Sequence, residues 1–237
     1  MRVNYEKANM ISIHQLYKTY HRGTESVEAV SGIDLEIKKG EFVVILGPSG
    51  GGKSTLLNLI GGIDHPTSGT VSINGFALEK ASEESLTRFR RDHIGFVFQF
   101  YNLLSALNAV ENVSLPLMAK GVPFKLANIK AVQILKRVGL ENRLSHLPSE
   151  LSGGEQQRVA IARSIIAEPE LVLADEPTGD LDSRTAEEIT TLMHELNQQM
   201  GLTFVVATHN LRLAEKADRV FELRDGKIQP NQHDKTG

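Results

Sequence analysis

The chain has 237 residues, 41% of them hydrophobic, enough to bury a substantial core and suited to one large domain carrying a subdomain. A formal net charge of -3 argues against nucleic acid as a partner, because displacing counterions from it normally takes a basic surface. The absence of cysteine excludes disulfides, thiol nucleophiles and thiolate metal sites, and with no signal-like apolar core in residues 1–10 and no run of 18 uncharged apolar residues the chain is not expected to cross a membrane by itself.

In chain order, residues 42–46 form the first of four short apolar runs that read as buried parallel strands; the others are 94–98, 171–174 and 204–207. Directly after the first comes Gly47-Pro48-Ser49-Gly50-Gly51-Gly52-Lys53-Ser54, followed by a helical run over 55–60 that opens at Thr55. A strand, then G-x-x-x-x-G-K-[ST], then a helix is the setting in which this pattern binds phosphate. The glycines let backbone N–H groups and the helix N-terminus converge on the anion, Lys53 adds a cation, and Ser54 offers a hydroxyl to Mg2+. Residues 70–73 and 220–223 meet Asn74-Gly75 and Asp225-Gly226 turns and read as antiparallel strands, which predicts a mixed sheet with a β-rich N-terminal edge.

The stretch 100–166 is expected to be mainly helical and to interrupt the β/α alternation as an inserted subdomain. Within it, 126–138 is an amphipathic helix stopped by Gly139, and Ser152 opens another that carries Val159, Ile161, Ala162, Ile165 and Ile166. Ser152-Gly153-Gly154 at that helix start is a second candidate anion site, although an isolated tripeptide of this kind is more often an ordinary cap. The strand 171–174 ends in Asp175 and Glu176. In a protein with a phosphate loop, the first carboxylate suits Mg2+ and its water, leaving the second to align an attacking water. A long helix is predicted over 183–200, with Ile189, Leu192, Met193, Leu196 and Met200 on one face and Gly201 ending it. Residues 229–237 are polar and are expected to fray.

The order of Gly47 to Ser54, Gln99, Leu151-Ser-Gly-Gly-Glu155, Asp175-Glu176, Gly179-Asp180-Leu181-Asp182 and His209 resembles the ABC ATPases over nearly the whole chain. The resemblance implies an α/β fold: a P-loop NTPase core with a mixed sheet, an N-terminal antiparallel β subdomain and an inserted helical subdomain, all within a single nucleotide-binding domain spanning 1–237. It further implies ATP and Mg2+ as cofactors and a head-to-tail homodimer that sandwiches two ATP molecules. Ser152, Gly153 and Gly154 of one copy would then face the phosphate held by the other.

Carried over residue by residue, the resemblance makes Tyr20 the ring that stacks on adenine, with Tyr17 as the nearby alternative. Gln99 becomes the glutamine that reaches Mg2+ and the attacking water, beside Ser54 and Asp175. Glu176 becomes the general base, with Lys53 on the phosphates and His209 as the switch histidine that holds the γ-phosphate. Asp182 becomes the aspartate through which each site senses its partner, with helix capping beside Ser183 as an equally compatible role. Gly51 departs from the serine that many relatives carry here, a small change because backbone amides dominate the cradle.

Residues 47–64, 90–104 and 150–182 most resemble the branch of the family that serves lipoprotein release and macrolide-type efflux. There the motor sits on the cytoplasmic face of the inner membrane, docks near residues 100–104 on a separate membrane permease, and binds no nucleic acid. A DNA-maintenance relative would need a long coiled coil between the phosphate loop and Ser152, and no sustained heptad occurs there. A regulatory ATPase that drives a membrane partner without moving cargo is the remaining alternative.

Overall fold

The computed structural model describes residues 8–23 and 25–230, so the start of the polar N-terminus and residues 231–237 of the polar end lie outside the described residues. Its elements are β1 (Asn9–Arg22), β2 (Glu25–Lys38), β3 (Phe42–Leu46), α1 (Lys53–Ile60), β4 (Ser68–Ile73), β5 (Phe76–Ala77), α2 (Glu83–His93), β6 (Ile94–Val97), α3 (Ala109–Ala119), α4 (Phe124–Arg137), α5 (Gly153–Ile165), β7 (Leu171–Asp175), α6 (Ser183–Met200), β8 (Thr203–Thr208), α7 (Leu211–Ala214), β9 (Arg219–Arg224) and β10 (Lys227–Ile228).

The strands form the expected mixed sheet and N-terminal antiparallel β subdomain, the latter as a separate sheet and not as an edge of the first. A four-stranded antiparallel sheet runs β2-β1-β4-β5, and a six-stranded sheet runs β10-β9-β3-β8-β7-β6. In the second sheet β3, β6, β7, β8 and β9 are mutually parallel and only β10 is antiparallel. The antiparallel reading of 220–223 holds for one side only: β9 is antiparallel to β10 across the Asp225-Gly226 turn, as expected, but runs parallel to β3 on its other side. A turn signal reports only the strand it leads into. The run 94–98 also ends one residue early, at Val97.

The central strands are apolar throughout because both faces are covered. Phe42 and Val44 of β3, Val172 and Ala174 of β7, and Phe204 and Val206 of β8 join one core with α3 to α6. Their alternating neighbours Val43, Ile45, Leu171, Leu173, Val205 and Ala207 join a second core with α1, β1, β2 and β4. Period-2 alternation thus sends apolar side chains both ways. Each fully buried Leu, Ile or Phe contributes about 1.5–3 kcal/mol, and Phe42 stacks on Phe204 at 5.5 Å between ring centroids.

The helix read over 183–200 forms with those bounds, capped by Asp182 and closed by Gly201 at φ 65. The stretch 100–166 contains α3, α4 and α5, separated by irregular segments that include 100–108. These helices bury Val113, Leu135, Val159 and Ile165 in the same core as the sheet. No helix among the described residues is long and apolar enough to cross a membrane.

Candidate active site

Four parallel strands deliver the candidate residues to one edge of the sheet, since β3, β8, β7 and β6 are adjacent and all end there. Leu46 pairs with Thr208, Asp175 with Ala207 and Val97 with Ala174, so the phosphate loop, His209, Glu176 and Gln99 leave the sheet side by side. The carboxyl ends of the strands are where open α/β sheets bind ligands.

The loop from Gly47 to Gly52 has its shape because side chains do not fit. A Cβ on Gly47 would lie 2.1 Å from the Leu223 carbonyl oxygen, and one on Gly52 would lie 2.3 Å from that of Ala29. Gly52 also takes φ 97, a left-handed value that favours glycine. It precedes α1 without a side-chain cap, and the first turn of α1 has no acidic residue. The amides of that turn therefore remain available to an anion, and the helix dipole favours one there. Ser54 and Thr55 stand in the same turn.

Lys53 is 5% exposed and folds over the loop. Its Nζ donates to the carbonyls of Gly47 (2.9 Å) and Pro48 (3.0 Å) and lies 3.2 Å from Glu176 Oε1. The other oxygen of Glu176 accepts from the Thr208 hydroxyl at 3.1 Å and stands 3.1 Å from His209 Nδ1. Burial alone would raise the pKa of Glu176; the hydrogen bonds and charges of His209 and Lys53 outweigh it and hold the carboxyl below its ordinary value. Asp175, the preceding residue, shifts the opposite way. Burial raises its pKa and the charge of Glu176 adds to this, while Ser54 and Lys53 offset it only in part. Its Oδ1 is buried with no hydrogen-bond partner among the described residues. Adjacent carboxylates thus differ in environment, one ionised by its partners and one under-satisfied.

Glu176 has φ 45, an uncommon left-handed conformation for a side-chain-bearing residue. Two backbone bonds hold it there: its N–H donates to Ala207 O (2.8 Å), and its carbonyl accepts from Gly179 N (3.1 Å). Gln99 follows β6 and turns its Nε2 toward Asp180 Oδ1 at 3.3 Å, beside Gly179.

Ser152, Gly153 and Gly154 are elsewhere on the framework. The apolar residues of α5 enter one core and those of α1 the other, so the two helices flank opposite faces of the sheet. The N-terminus of α5 is partly satisfied from within by a capping box, in which Glu155 N donates to Ser152 Oγ and Ser152 N donates to Glu155 Oε2. Asp182 caps α6, accepting from the amides of Arg184 (3.0 Å) and Thr185 (3.1 Å).

Tyr20 is 41% exposed, donates to Asp64 Oδ2 at 2.7 Å and has Lys18 Nζ 4.8 Å from its ring centroid. Thr55 of α1 is a further neighbour of its phenol, which places this ring beside the phosphate loop. Tyr17 instead packs its hydroxyl beneath Gly32. Sequence reasoning assigned no separate site role to Thr208, Asp180, Lys18 or Asp64; Asp180, within the Gly179-Asp180-Leu181-Asp182 motif, and Thr208, at a strand end directly before His209, carried a usable signal, and Lys18 and Asp64 carried none.

Residues 30–179 match the family described as ABC transporter. The chain is 48% identical over 219 residues to the lipoprotein-releasing system ATP-binding protein LolD of Legionella pneumophila (strain Lens), covering 92% of this chain and 96% of that protein. It is 47% identical over 220 residues to an uncharacterized ABC transporter ATP-binding protein of Thermotoga maritima, covering 93% and 94%. Among solved structures, the dimeric post-hydrolysis state of the ATP-binding cassette MJ0796 bound to ADP and Pi matches with a TM-score of 0.87 at 44% identity, covering 93% of this chain and 97% of that one.

Proposed function

Because the chain belongs to the ABC transporter family and is an ATP-binding, ATP-hydrolysing subunit of it, we propose that it is the peripheral motor of a bacterial lipoprotein-release complex, on the cytoplasmic face of the inner membrane beside a separate permease. The observation that carries the reading is the meeting of Lys53, Glu176 and His209 beyond the ends of β3, β7 and β8. The relatives named for lipoprotein release span several bacteria at 44% to 49% identity, which favours that cargo class over regulation without transport.

We propose that Ser54, Gln99 and Asp175 hold Mg2+ with ATP. The residues fit: they offer only hard oxygen ligands, and the buried Asp175 Oδ1 is otherwise unpaired among the described residues. The ion would neutralise charge on the phosphate oxygens. The chain's own part is to cradle phosphate in the amides of residues 47–55, to set Lys53 beside it, and to align water with Glu176, which accepts the proton. His209 and Thr208 orient the Glu176 carboxylate, Gln99 lines the water side, and Tyr20 stacks on adenine.

A second copy completes each site in this reading. Ser152, Gly153 and Gly154 sit on the helix across the sheet from α1, so in the head-to-tail homodimer they face the ATP of the other protomer, and Asp182 carries the signal between sites. The domain is single, with 100–166 as its helical subdomain. Phe100 and Leu104, 73% and 51% exposed, support permease docking at residues 100–104.

Two measurements test this. Ser152→Arg puts bulk and charge at the dimer-facing end of α5, and loss of the cap adds about 1 kcal/mol of local destabilisation. ATP-induced dimers disappear from sedimentation while monomer ATP binding stays within about twofold; an unchanged ATP dimer refutes the sandwich. Tagged Glu176→Gln protein, trapped with ATP in detergent-solubilised membranes, is expected to bring down a membrane permease. Recovery of soluble proteins alone would overturn the transporter assignment and leave the ATPase standing.

A further inference from the structure

Gln157 lies on α5 and is fully buried, an unusual place for an amide. Its Nε2 donates to the carbonyl of Pro177 at 2.7 Å, and its Oε1 has no partner among the described residues. A buried polar group satisfied at only one end reduces stability, so its presence calls for a reason beyond packing. The group that it holds is informative. Pro177 directly follows Glu176, whose left-handed backbone is sustained by contacts on either side, and proline has no N–H with which to secure itself. The Gln157 amide anchors this strained segment from the helical layer.

The same helix begins at Ser152, five residues earlier, or about 7.5 Å along the axis. Its start is packed tightly against the loop that follows Glu176 and the first turn of α6 to which that loop leads: a Cβ on Gly153 would lie 3.3 Å from Leu181 Cδ2 in the loop, and one on Gly154 would lie 2.5 Å from Thr185 Cγ2 on α6. A rigid helix thus carries Ser152 at one end and, a turn and a half on, grips the backbone beside Glu176.

We infer that Gln157 is a positioning residue for hydrolysis: it keeps the Glu176–Pro177 backbone in its working conformation and couples nucleotide contact at Ser152 to the base in the same chain. In the dimer, the ATP touching Ser152 belongs to the partner, so the coupling links the two sites. The inference rests on the reading of Glu176 as the base.

The test uses the full-length protein with Gln157→Met, which keeps length and volume but has no donor, and Gln157→Glu. For Gln157→Met, kcat is expected to fall about tenfold, the equivalent of one modest hydrogen bond felt at the transition state. KM, ATP binding and the thermal midpoint stay near those of the parent. For Gln157→Glu, burial raises the carboxyl pKa, and the protonated acid can donate to the Pro177 carbonyl. Its kcat relative to wild type therefore rises as pH falls, whereas that of Gln157→Met does not. A kcat within twofold of wild type in Gln157→Met, a loss matched by lost ATP affinity or folding, or identical pH profiles in the two variants would overturn the proposal. Glu176→Gln measured alongside separates the readings, since normal turnover there removes the base assignment itself.

Discussion

Glu176→Gln lowers ATP turnover about a thousandfold, within the range by which positioned general bases accelerate reactions, and leaves ATP affinity intact. The amide can still accept from the Thr208 hydroxyl, so the side chain keeps its place, but it cannot take a proton from water. Affinity survives because the phosphate cradle is made of backbone amides and Lys53, and Lys53 retains the Gly47 and Pro48 carbonyls as anchors when the carboxylate opposite is gone. ATP that binds and is not cleaved traps the dimer. Single-turnover hydrolysis, equilibrium ATP binding and sedimentation together read this out. Turnover within tenfold of wild type would assign the proton transfer to another group.

The parts of this site that could be read in advance are those where local chemistry dictates local shape. The phosphate loop is legible because its glycines answer specific collisions, with the Ala29 and Leu223 carbonyls, and its lysine has no other reason to stand at a buried helix start. The strands β3, β7 and β8 are legible because they are apolar on both faces, and α6 because its stripe, cap and terminal glycine agree. The β1–β2 hairpin is not legible from period alone. Gln15 at φ 44 bulges β1, so its buried residues fall at Ile11, Ile13 and Leu16, and Gly32 at φ 67 breaks β2 the same way between Val30 and Ile33. Pro116 inside α3 masks that helix, and α2 buries only Leu86. The contacts that tune Glu176 were legible only in part. Lys53 and His209 stand out by motif, and Thr208 by its place at a strand end directly before His209, but Gln157 reaches the backbone beside the carboxylate by tertiary approach from 20 positions before Pro177, which no local pattern encodes.

Lys53→Met is the counterpart of the base substitution, because it removes one cation that serves two anions. ATP affinity falls about a hundredfold, the loss expected for hydrogen bonds to a charged group. The second effect is on Glu176. With Lys53 present, burial, which would raise the carboxyl pKa, is outweighed by His209 and Lys53; with it absent, only the buried Thr208 hydroxyl and the largely exposed His209 oppose burial, and the pKa rises. The sign of the stability change follows. In the wild type the depressed pKa contributes stability that is present above the unfolded-state value of about 4.5 and is lost as pH falls through the folded value. In Lys53→Met that contribution shrinks or reverses at neutral pH, where an incompletely paired carboxylate in a site 13% exposed destabilises the fold by no more than about 3 kcal/mol. Since a protonated Glu176 needs no partner, the gap between variant and wild type closes as the pH is lowered toward the variant's own pKa. Denaturant melts of both proteins from pH 7.5 to 4.5 would show the two midpoints converging on the acid side. Parallel curves across that range would mean that Lys53 and Glu176 are near neighbours without being coupled, and the base would then owe its ionisation to His209 and Thr208.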